Sequence, residues 1–425
     1  MESVQNKQSK NKSDEQTRIL IISTIVLGVI VGLSALVLSL FLDGIERLFL
    51  SFEETSAAPS ATMITGGHRL ISVVIGGVIA AVVWYFLRTR YKPVIGINQA
   101  LKGEKMPWVQ TVIDVITQIM FVGTGGSVGR ELAPREAGAM LAQRWSHLVN
   151  RLGLPNLTQE NQRLLIAAAA GAGFAGIYIA PITGMLFCVE ILLKQISPKT
   201  VTVSLSMSII AMLVGSLVKG FKPYYLIHDT HFTLIILPFV IIAGPLIGIA
   251  GAFFRQTFKW AEKQQSKDKN ILWQLPLAAV LTGIVAMRFP QIMGNGRALA
   301  QLSMNYNQQM FIGMLVFGAM VKAIVTVLTI RSGAAGGTLT PSIAIGSALG
   351  VLIGVGFNLM GIALPLSQTA LLGAGILLAA SQQAPLMALF MIFEVSHLNY
   401  SAFLPLGLGV ALAYVSSQIV LRKRN

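Results

Sequence analysis

The stretch GTGGSVGRELAP, residues 123–134, places four glycines in seven positions and ends in proline. Because glycine has no side chain, successive backbone N–H groups in such a stretch can converge into a nest that binds an anion. We expect a helix rich in small residues to follow from Ala137, and a helix N-terminus adds partial positive charge and unpaired N–H donors. The segment therefore predicts an anion site that needs no lysine.

The composition of the whole chain indicates that this site lies in a membrane. Of 425 residues, 54% are hydrophobic and only 12% are charged, about half the charged share of a soluble globular protein. These values exclude an ordinary soluble enzyme, a disordered chain and a secreted disulfide scaffold. The net charge of +15 comes from basic residues that lie mostly between apolar runs, which favours positive cytoplasmic loops over nucleic-acid binding.

Apolar runs separated by polar loops predict an all-α integral membrane protein. The first run, residues 19–42, has no charge and is long enough to span a bilayer. It follows a polar segment, 1–18, that we expect to be a cytoplasmic tail. Several later runs are too short to cross alone, which predicts re-entrant helices. We therefore expect one transmembrane transport domain at 19–420 and a short basic tail at 421–425, with both termini in the cytoplasm.

A weak internal repeat divides this domain into halves at about 70–220 and 232–420. In each half a proline is followed nine positions later by a glutamate across an apolar interior, in the segments 181–190 and 385–394. Glycine and proline are common in all membrane helices, which is the alternative explanation. Paired segments interrupted by glycine and proline at corresponding positions are, however, typical of a transporter's substrate site.

Glu131 lies inside the predicted nest. A carboxylate there would occupy the site as a tethered anion, and a mobile anion would displace it most easily when the acid is protonated. An ionisable residue at membrane depth usually has a function, so we interpret Glu131 as the gating and proton-carrying residue. A salt bridge with the adjacent Arg130, or an interfacial position in water, is the alternative.

A second Gly-rich turn, RSGAAGGTLTPS at 331–342, precedes a small-residue helix expected at 343–350. Its backbone amides can face the same ion, and Thr338 and Thr340 add hydroxyl donors, although Thr also caps helices in any membrane protein. Asn98 is expected either to cap the helix that follows it or to donate to an ion. Tyr400 is expected either to direct its phenolic O–H at the ion path or to anchor a helix at the membrane interface.

Other chemistries find little support in the sequence. The histidines are mostly scattered, and the pair at 228 and 231 has no further ligands nearby, so no metal site is predicted. A phosphate-binding loop and redox cofactor motifs are absent from the sequence, which argues against an ATP-driven pump and predicts no cofactor. A membrane-embedded enzyme or receptor-like binder would need a convergent catalytic cluster, which the sequence does not contain.

Taken in order, these motifs resemble those of the CLC family of chloride channels and anion/proton antiporters, over residues from about 70 to 415. Residues 125–131 are similar to its Gly-Arg-Glu-Gly-Pro segment, 177–190 to its Asn-Ala-Pro-Leu-Ala-Gly region, and 336–341 to its Gly-x-Phe-x-Pro segment. The resemblance implies a plasma-membrane homodimer of inverted-topology repeats, with one anion path per subunit and Glu131 as the gating glutamate. Together with the two Gly-rich turns, it predicts an anion site formed by Ile97, Asn98, Gly129, Arg130, Glu131, Thr338, Leu339, Thr340 and Tyr400.

Departures from the family pattern bear on the substrate. Ile95 stands where the family has the serine whose hydroxyl contacts chloride, and Ile191 stands where many chloride/proton exchangers have an inner proton-transfer glutamate. These changes resemble the bacterial fluoride-exporting branch, and Tyr400 and Thr340 are candidate substitutes for the missing groups. We therefore expect a fluoride/proton antiporter, with a chloride/proton antiporter or a passive anion channel as the alternatives.

Overall fold

A computed structural model of the chain describes residues 2–227, 229–306 and 310–422, with side chains from residue 14 onwards. His228 and residues 423–425 of the predicted basic tail lie outside the described residues. Within them the structure is helical, and its one β-type contact is an isolated bridge between Gly129 and Gly337. The α-helices are α1 (Glu2–Leu50), α2 (Gly66–Thr89), α3 (Ile97–Ala100), α4 (Trp108–Gly123), α5 (Leu132–Arg151), α6 (Gln159–Tyr178), α7 (Pro181–Leu186), α8 (Pro198–Lys219), α9 (Leu237–Lys263), α10 (Ile271–Arg288), α11 (Arg297–Met304), α12 (Gly313–Arg331), α13 (Leu339–Leu359), α14 (Leu366–Gln382), α15 (Pro385–Val395) and α16 (Phe403–Arg422).

Eight helical segments among the described residues are long and apolar enough to cross a membrane, which confirms the predicted all-α membrane fold. Shorter apolar helices accompany them, as the sequence predicts: α4 has 16 residues, α14 has 17 and α15 has 11. At a rise of about 1.5 Å per residue, such helices fall short of the roughly 30 Å hydrocarbon core. A single turn of π-helix, Phe187–Leu192, continues α7.

The first of two compact units consists of residues up to 39, 93–115 and 134–221. Its helices approach each other closely because glycines line their contacts. A β-carbon added at Gly138 would lie 2.2 Å from the carbonyl oxygen of Ala169, and one added at Gly173 would lie 2.1 Å from that of Pro134. Small residues of this kind let membrane helices pack backbone to backbone, where lipid offers no hydrophobic driving force for association.

The second compact unit consists of residues 40–92, 116–133 and those from 222 on. It uses the same packing between α13 and α14, where a β-carbon at Gly346 would lie 2.4 Å from the carbonyl oxygen of Gly373. Helices α2 and α10 also contact closely, since a β-carbon added at Gly77 would lie 2.5 Å from the β-carbon of Ala279. Both Gly-rich turns of the predicted anion site belong to this unit.

The two Pro-to-Glu segments of the predicted repeat begin with matching backbone conformations. The residue that caps the C-terminus of α6 is Ile179, with φ 56° and ψ 43°, and the one that caps α14 is Gln383, with φ 57° and ψ 39°. The alanines that follow, before Pro181 and Pro385, have φ −130° and −139°. Left-handed backbone is strained for a β-branched residue such as isoleucine. Its recurrence at corresponding positions agrees with an internal repeat, and the inversion of the two halves stays a prediction.

Candidate anion site

The two Gly-rich turns meet through a pair of backbone hydrogen bonds. The N–H of Gly129 donates to the carbonyl oxygen of Gly337 at 2.8 Å, and the N–H of Gly337 donates to that of Gly129, also at 2.8 Å. This bridge joins the residues just before α5 to those just before α13. A helix N-terminus has N–H donors without intrahelical partners and partial positive charge, which favour an anion beside it.

The side chain of Glu131 lies at this point and is completely buried. Its Oε1 accepts a hydrogen bond from the backbone N–H of Leu339 at 2.6 Å, and its Oε2 accepts one from the hydroxyl of Thr340 at 3.3 Å. Leu339 is the first residue of α13, so the carboxylate binds directly to a helix N-terminus. The carboxylate is thus held by a backbone N–H and a hydroxyl, and its role as a tethered anion stays a prediction.

Glycine is required on both sides of the carboxylate. A β-carbon at Gly129 would lie 2.2 Å from Oε2 of Glu131, and one at Gly337 would lie 2.1 Å from Oε1. Both distances are far below van der Waals contact, so any larger residue would displace the carboxylate. Gly129 and Gly337 are therefore needed for the space that they leave to the carboxylate, and not only for backbone flexibility.

Both helices begin earlier than the sequence analysis expects. Helix α5 begins at Leu132 rather than at Ala137, and α13 begins at Leu339 rather than at residue 343. Each therefore contains a proline as its third residue, where the missing N–H has no intrahelical partner in any case. The earlier start is what brings the N–H of Leu339 to Glu131.

The two threonines of the second turn have different partners. The hydroxyl of Thr340 donates to Glu131, whereas the hydroxyl oxygen of Thr338 accepts a hydrogen bond from Nε2 of Gln382 at 3.0 Å. Thr340 is buried and Thr338 is half-buried. Only Thr340 thus takes part in holding the carboxylate, and Thr338 faces α14.

A buried lysine contacts the first Gly-rich turn. The side chain of Lys322, on α12, is completely buried, and its ammonium donates to the hydroxyl of Ser127 at 2.9 Å. It also donates to the carbonyl oxygens of Ile292 at 3.0 Å and Gly294 at 2.7 Å. These three bonds use all the donors of an ammonium group, so the end of the side chain is held in place.

Lys322 lies close to the anion site itself. A β-carbon added at Gly296 would lie 3.0 Å from Cε of Lys322 and 3.6 Å from the carbonyl oxygen of Thr340. In a medium of low dielectric a positive charge acts over such distances with little screening. Lys322 is not among the site residues predicted from the sequence, although a lysine within an apolar run is a signal of function at membrane depth.

Arg130 directs its side chain to a second buried cluster. Its Nη1 lies 3.8 Å from Oε1 of Glu54, and its guanidinium lies 5.4 Å from the ring centroid of Tyr224. Arg297 approaches the same groups, with Nη1 at 3.2 Å from Oε1 of Glu54. Glu54 thus joins two arginines, and the cluster anchors the turn that carries Glu131.

Ile97 and Asn98, which the sequence also predicts to be in the anion site, belong to the first compact unit. They open the short helix α3, in which Ile97 is buried and Asn98 is exposed. The helix cap is not Asn98 but Gly96, whose N–H donates to the side chain of Gln99 at 3.2 Å. Asn98 instead lines a cavity of about 1230 Å³.

Basic side chains dominate the lining of that large cavity. Its charged residues other than histidine are Lys102, Lys105, Arg163, Lys194 and Glu160. The ammonium of Lys199, 2.9 Å from the carboxylate of Glu160, lowers the pKa of that carboxyl, so the single acidic group stays ionised. Four cations against one anion give the cavity a positive potential that attracts anions.

Tyr400 does not join the group around Glu131. Its side chain is 81% exposed and its ring stacks on Phe403, with centroids 5.6 Å apart. The preceding Asn399 caps the short turn by accepting from the N–H of Ser401 at 3.0 Å. This placement agrees with the alternative use of a tyrosine at the membrane interface.

Comparison with known proteins identifies the family. The model of the voltage-gated chloride channel (CLC) family matches residues 76–418. The chain belongs to the CLC family. A protein of Ralstonia nicotianae described as a ClcB-like chloride channel is 31% identical over 326 residues, which cover 72% of each chain. The ClC-type chloride channel ClcB of Citrobacter koseri is 26% identical over 89% of this chain and 91% of its own.

Solved structures of CLC proteins share the fold. A slow cyanobacterial chloride/proton antiporter superposes with a TM-score of 0.78 at 23% identity, over 94% of both chains. A CLC-type fluoride/proton antiporter superposes with a TM-score of 0.66 at 22% identity, over 95% of this chain and 96% of the other. The protein is accordingly a multi-pass membrane protein of a family made of anion channels and transporters.

Proposed function

We propose that this CLC protein exchanges a halide ion for protons, with Glu131 as the group that both ions use in turn. The observation that carries the proposal is the position of the Glu131 carboxylate, completely buried and bound to the N-terminus of α13. A site that holds a carboxylate by backbone N–H and hydroxyl donors offers the same donors to a halide once the carboxylate leaves.

Protonation of Glu131 is the step that frees the donors of the site for a halide. The neutral acid loses most of its attraction to the N–H of Leu339 and to the positive charge of Lys322, so a halide can replace it. When the side chain returns after losing its proton, the halide is expelled. Hydrogen bonds to charged acceptors are about twice as strong as neutral ones, so the protonated acid is displaced more easily than the carboxylate.

Fluoride is the ion that we propose as substrate. It is small and strongly hydrated, so a site must replace its water with strong donors, and the hydroxyl of Thr340 and the N–H of Leu339 are donors of this kind. Ile95 removes the hydroxyl that chloride-selective members place on the ion path. Hydrofluoric acid enters cells as a neutral molecule and ionises inside, so inward proton movement coupled to fluoride exit would remove the trapped ion.

Chloride is the second candidate, because two observations favour it. The ClcB relatives are described as chloride channels, and the chloride/proton antiporter superposes better than the fluoride/proton antiporter, with TM-scores of 0.78 and 0.66. In that case Glu131 keeps the same role with chloride, as an exchanger or as the gate of a passive channel.

Ion efflux from liposomes separates these candidates. The purified protein is reconstituted, and fluoride and chloride efflux are followed with ion-selective electrodes, with and without a proton gradient. The proposal predicts that fluoride leaves much faster than chloride and that its efflux drives proton uptake. Equal rates for the two ions would reject fluoride as the substrate, and efflux that never changes the internal pH would reject exchange.

The wider arrangement belongs to the same proposal. We place the protein in the plasma membrane as a homodimer with one anion path per subunit and both termini in the cytoplasm. Cross-linking in native membranes tests the dimer, and accessibility of a cysteine introduced near the C-terminus tests the orientation.

A further inference from the structure

A small cavity lies beside the anion site, within the second compact unit. Its volume is about 110 Å³. Its polar and charged lining residues are Arg255, Lys259 and Glu262 of α9, Thr338, and Ser381 and Gln382 of α14. A cavity of this size has room for a small ion and a few waters. Organic ligands need cavities of about 300 Å³ or more, so the class that fits is a small inorganic anion.

One residue of backbone separates this cavity from the Glu131 carboxylate. Thr338, in the cavity wall, stands between Gly337 and Leu339. A β-carbon at Gly337 would lie 2.1 Å from Oε1 of Glu131, and the N–H of Leu339 donates to the same atom at 2.6 Å. The backbone on either side of Thr338 therefore faces Glu131, while its own side chain faces the cavity.

Positive charge prevails in the lining. The two cations, Arg255 and Lys259, face one carboxylate, that of Glu262. Nη1 of Arg255 donates to the carbonyl oxygen of Ser381 at 2.6 Å, which fixes the guanidinium at the inner wall. Lys259 and Glu262 are exposed and lie at the mouth. Cations on the walls of a narrow cavity raise the local concentration of anions.

The inner end of the cavity also supplies a hydroxyl donor. Thr338 accepts a hydrogen bond from Nε2 of Gln382 at 3.0 Å. Because Gln382 occupies a lone pair of the Thr338 oxygen, the O–H proton of Thr338 is directed away from Gln382. A hydroxyl held in this way can donate to an anion beside Arg255.

We propose that this cavity is a loading site, in which a monovalent anion rests between Arg255, Lys259 and the hydroxyl of Thr338 before it enters the Glu131 site. The inference rests on the proposed function, since it supplies the anion that Glu131 exchanges. Glu262 weakens binding by its negative charge, and weak binding lets the ion move on, as a transport path requires.

Charge changes at the mouth test the loading site. In liposomes at low ionic strength, Lys259→Gln is expected to raise the half-saturating halide concentration about three- to fivefold. Glu262→Gln is expected to lower that concentration by a similar factor. The matched control is Lys263→Gln, one turn further along α9 and absent from the cavity lining, which is expected to change nothing. About 1 M of an impermeant salt should abolish the shifts, because screening then acts over about 3 Å.

The outcomes distinguish this inference from the proposed function. Suppose that the wild type transports halide. If Lys259→Gln and Lys263→Gln then have the same half-saturating halide concentration, the loading site is overturned and the proposed function is not. A wild type that moves no halide would overturn the proposed function and the loading site with it. Bromide diffused into crystals shows directly whether the cavity binds an anion. Anomalous density in the cavity of the wild type that is lost in Arg255→Gln supports the site. Wild-type crystals without that density contradict it.

Discussion

Replacing Gly337 with alanine removes the space that the Glu131 carboxylate occupies. The added β-carbon would lie 2.1 Å from Oε1 and 2.3 Å from Cδ of Glu131, whereas unstrained contacts between non-bonded heavy atoms are about 3.5 Å or longer. The carboxylate must therefore move by more than about 1 Å. A displacement of that size breaks its hydrogen bond with the N–H of Leu339, which is 2.6 Å long.

The size of the effect follows from that bond. A hydrogen bond to a charged group contributes about 1.5–3 kcal/mol, so the population of Glu131 in its present position falls by about 10- to 150-fold. Since the methyl group also obstructs a halide that would take the same place, we expect proton-coupled halide flux to fall by about tenfold or more.

Flux in liposomes, measured with an ion-selective electrode and an internal pH dye, checks this expectation. The control is Gly356→Ala, in the same helix, where an added β-carbon meets nothing within 4 Å. That variant should transport as the wild type does and be no less stable, because alanine favours helix over glycine. A Gly337→Ala protein with wild-type rate and proton-to-anion ratio would refute the reasoning, since the carboxylate would then not need its present position.

Other substitutions probe the neighbouring contacts. Thr340→Val removes the hydroxyl that donates to Glu131 and should weaken its retention about fivefold, seen as fewer protons moved per anion, whereas Thr338→Val should leave that ratio unchanged. Lys322→Met removes the donor of three buried hydrogen bonds and should cost about 3 kcal/mol or more of stability, measured by thermal unfolding in detergent. Tyr400→Phe should leave halide flux unchanged, because the side chain is 81% exposed; a large loss of flux would restore Tyr400 to the ion path.

Sequence alone predicts that the two Gly-rich turns lie together at Glu131, because glycine-rich turns before helices are a local pattern. Four glycines before Glu131 indicate a nest, and a second turn of the same kind indicates its partner. The structure brings the turns together through Gly129 and Gly337. The helix starts at Leu132 and Leu339 are less predictable, since proline after a turn usually suggests that the helix has yet to begin, although it fits the first turn of a helix equally well.

Long-range contacts are the part that the sequence does not show. Lys322 stands out as a charge in an apolar run, yet nothing local reveals that Ser127, Ile292 and Gly294 converge on its ammonium. Glu54 lies in a polar loop without any pattern that links it to Arg130. Such partners are separated by about thirty to two hundred residues along the chain and are set by the fold.

Side-chain direction is a further limit of the sequence pattern. Asn98 has the residue type of a helix cap, but Gly96 takes that position because the side chain of Gln99 reaches back to its N–H. Tyr400 has the residue type of an ion-path donor, but the turn capped by Asn399 directs its ring to Phe403. In both cases a neighbouring residue decides the geometry.

Proton uptake driven by fluoride efflux, compared between the wild type and Glu131→Gln, tests the central claim most directly. The amide has nearly the shape of the acid but neither its charge nor its exchangeable proton. We predict that the wild type takes up protons as fluoride leaves and that Glu131→Gln moves fluoride, if at all, without any change of internal pH. Undiminished proton uptake in Glu131→Gln would show that the proton travels by another group and would contradict the account.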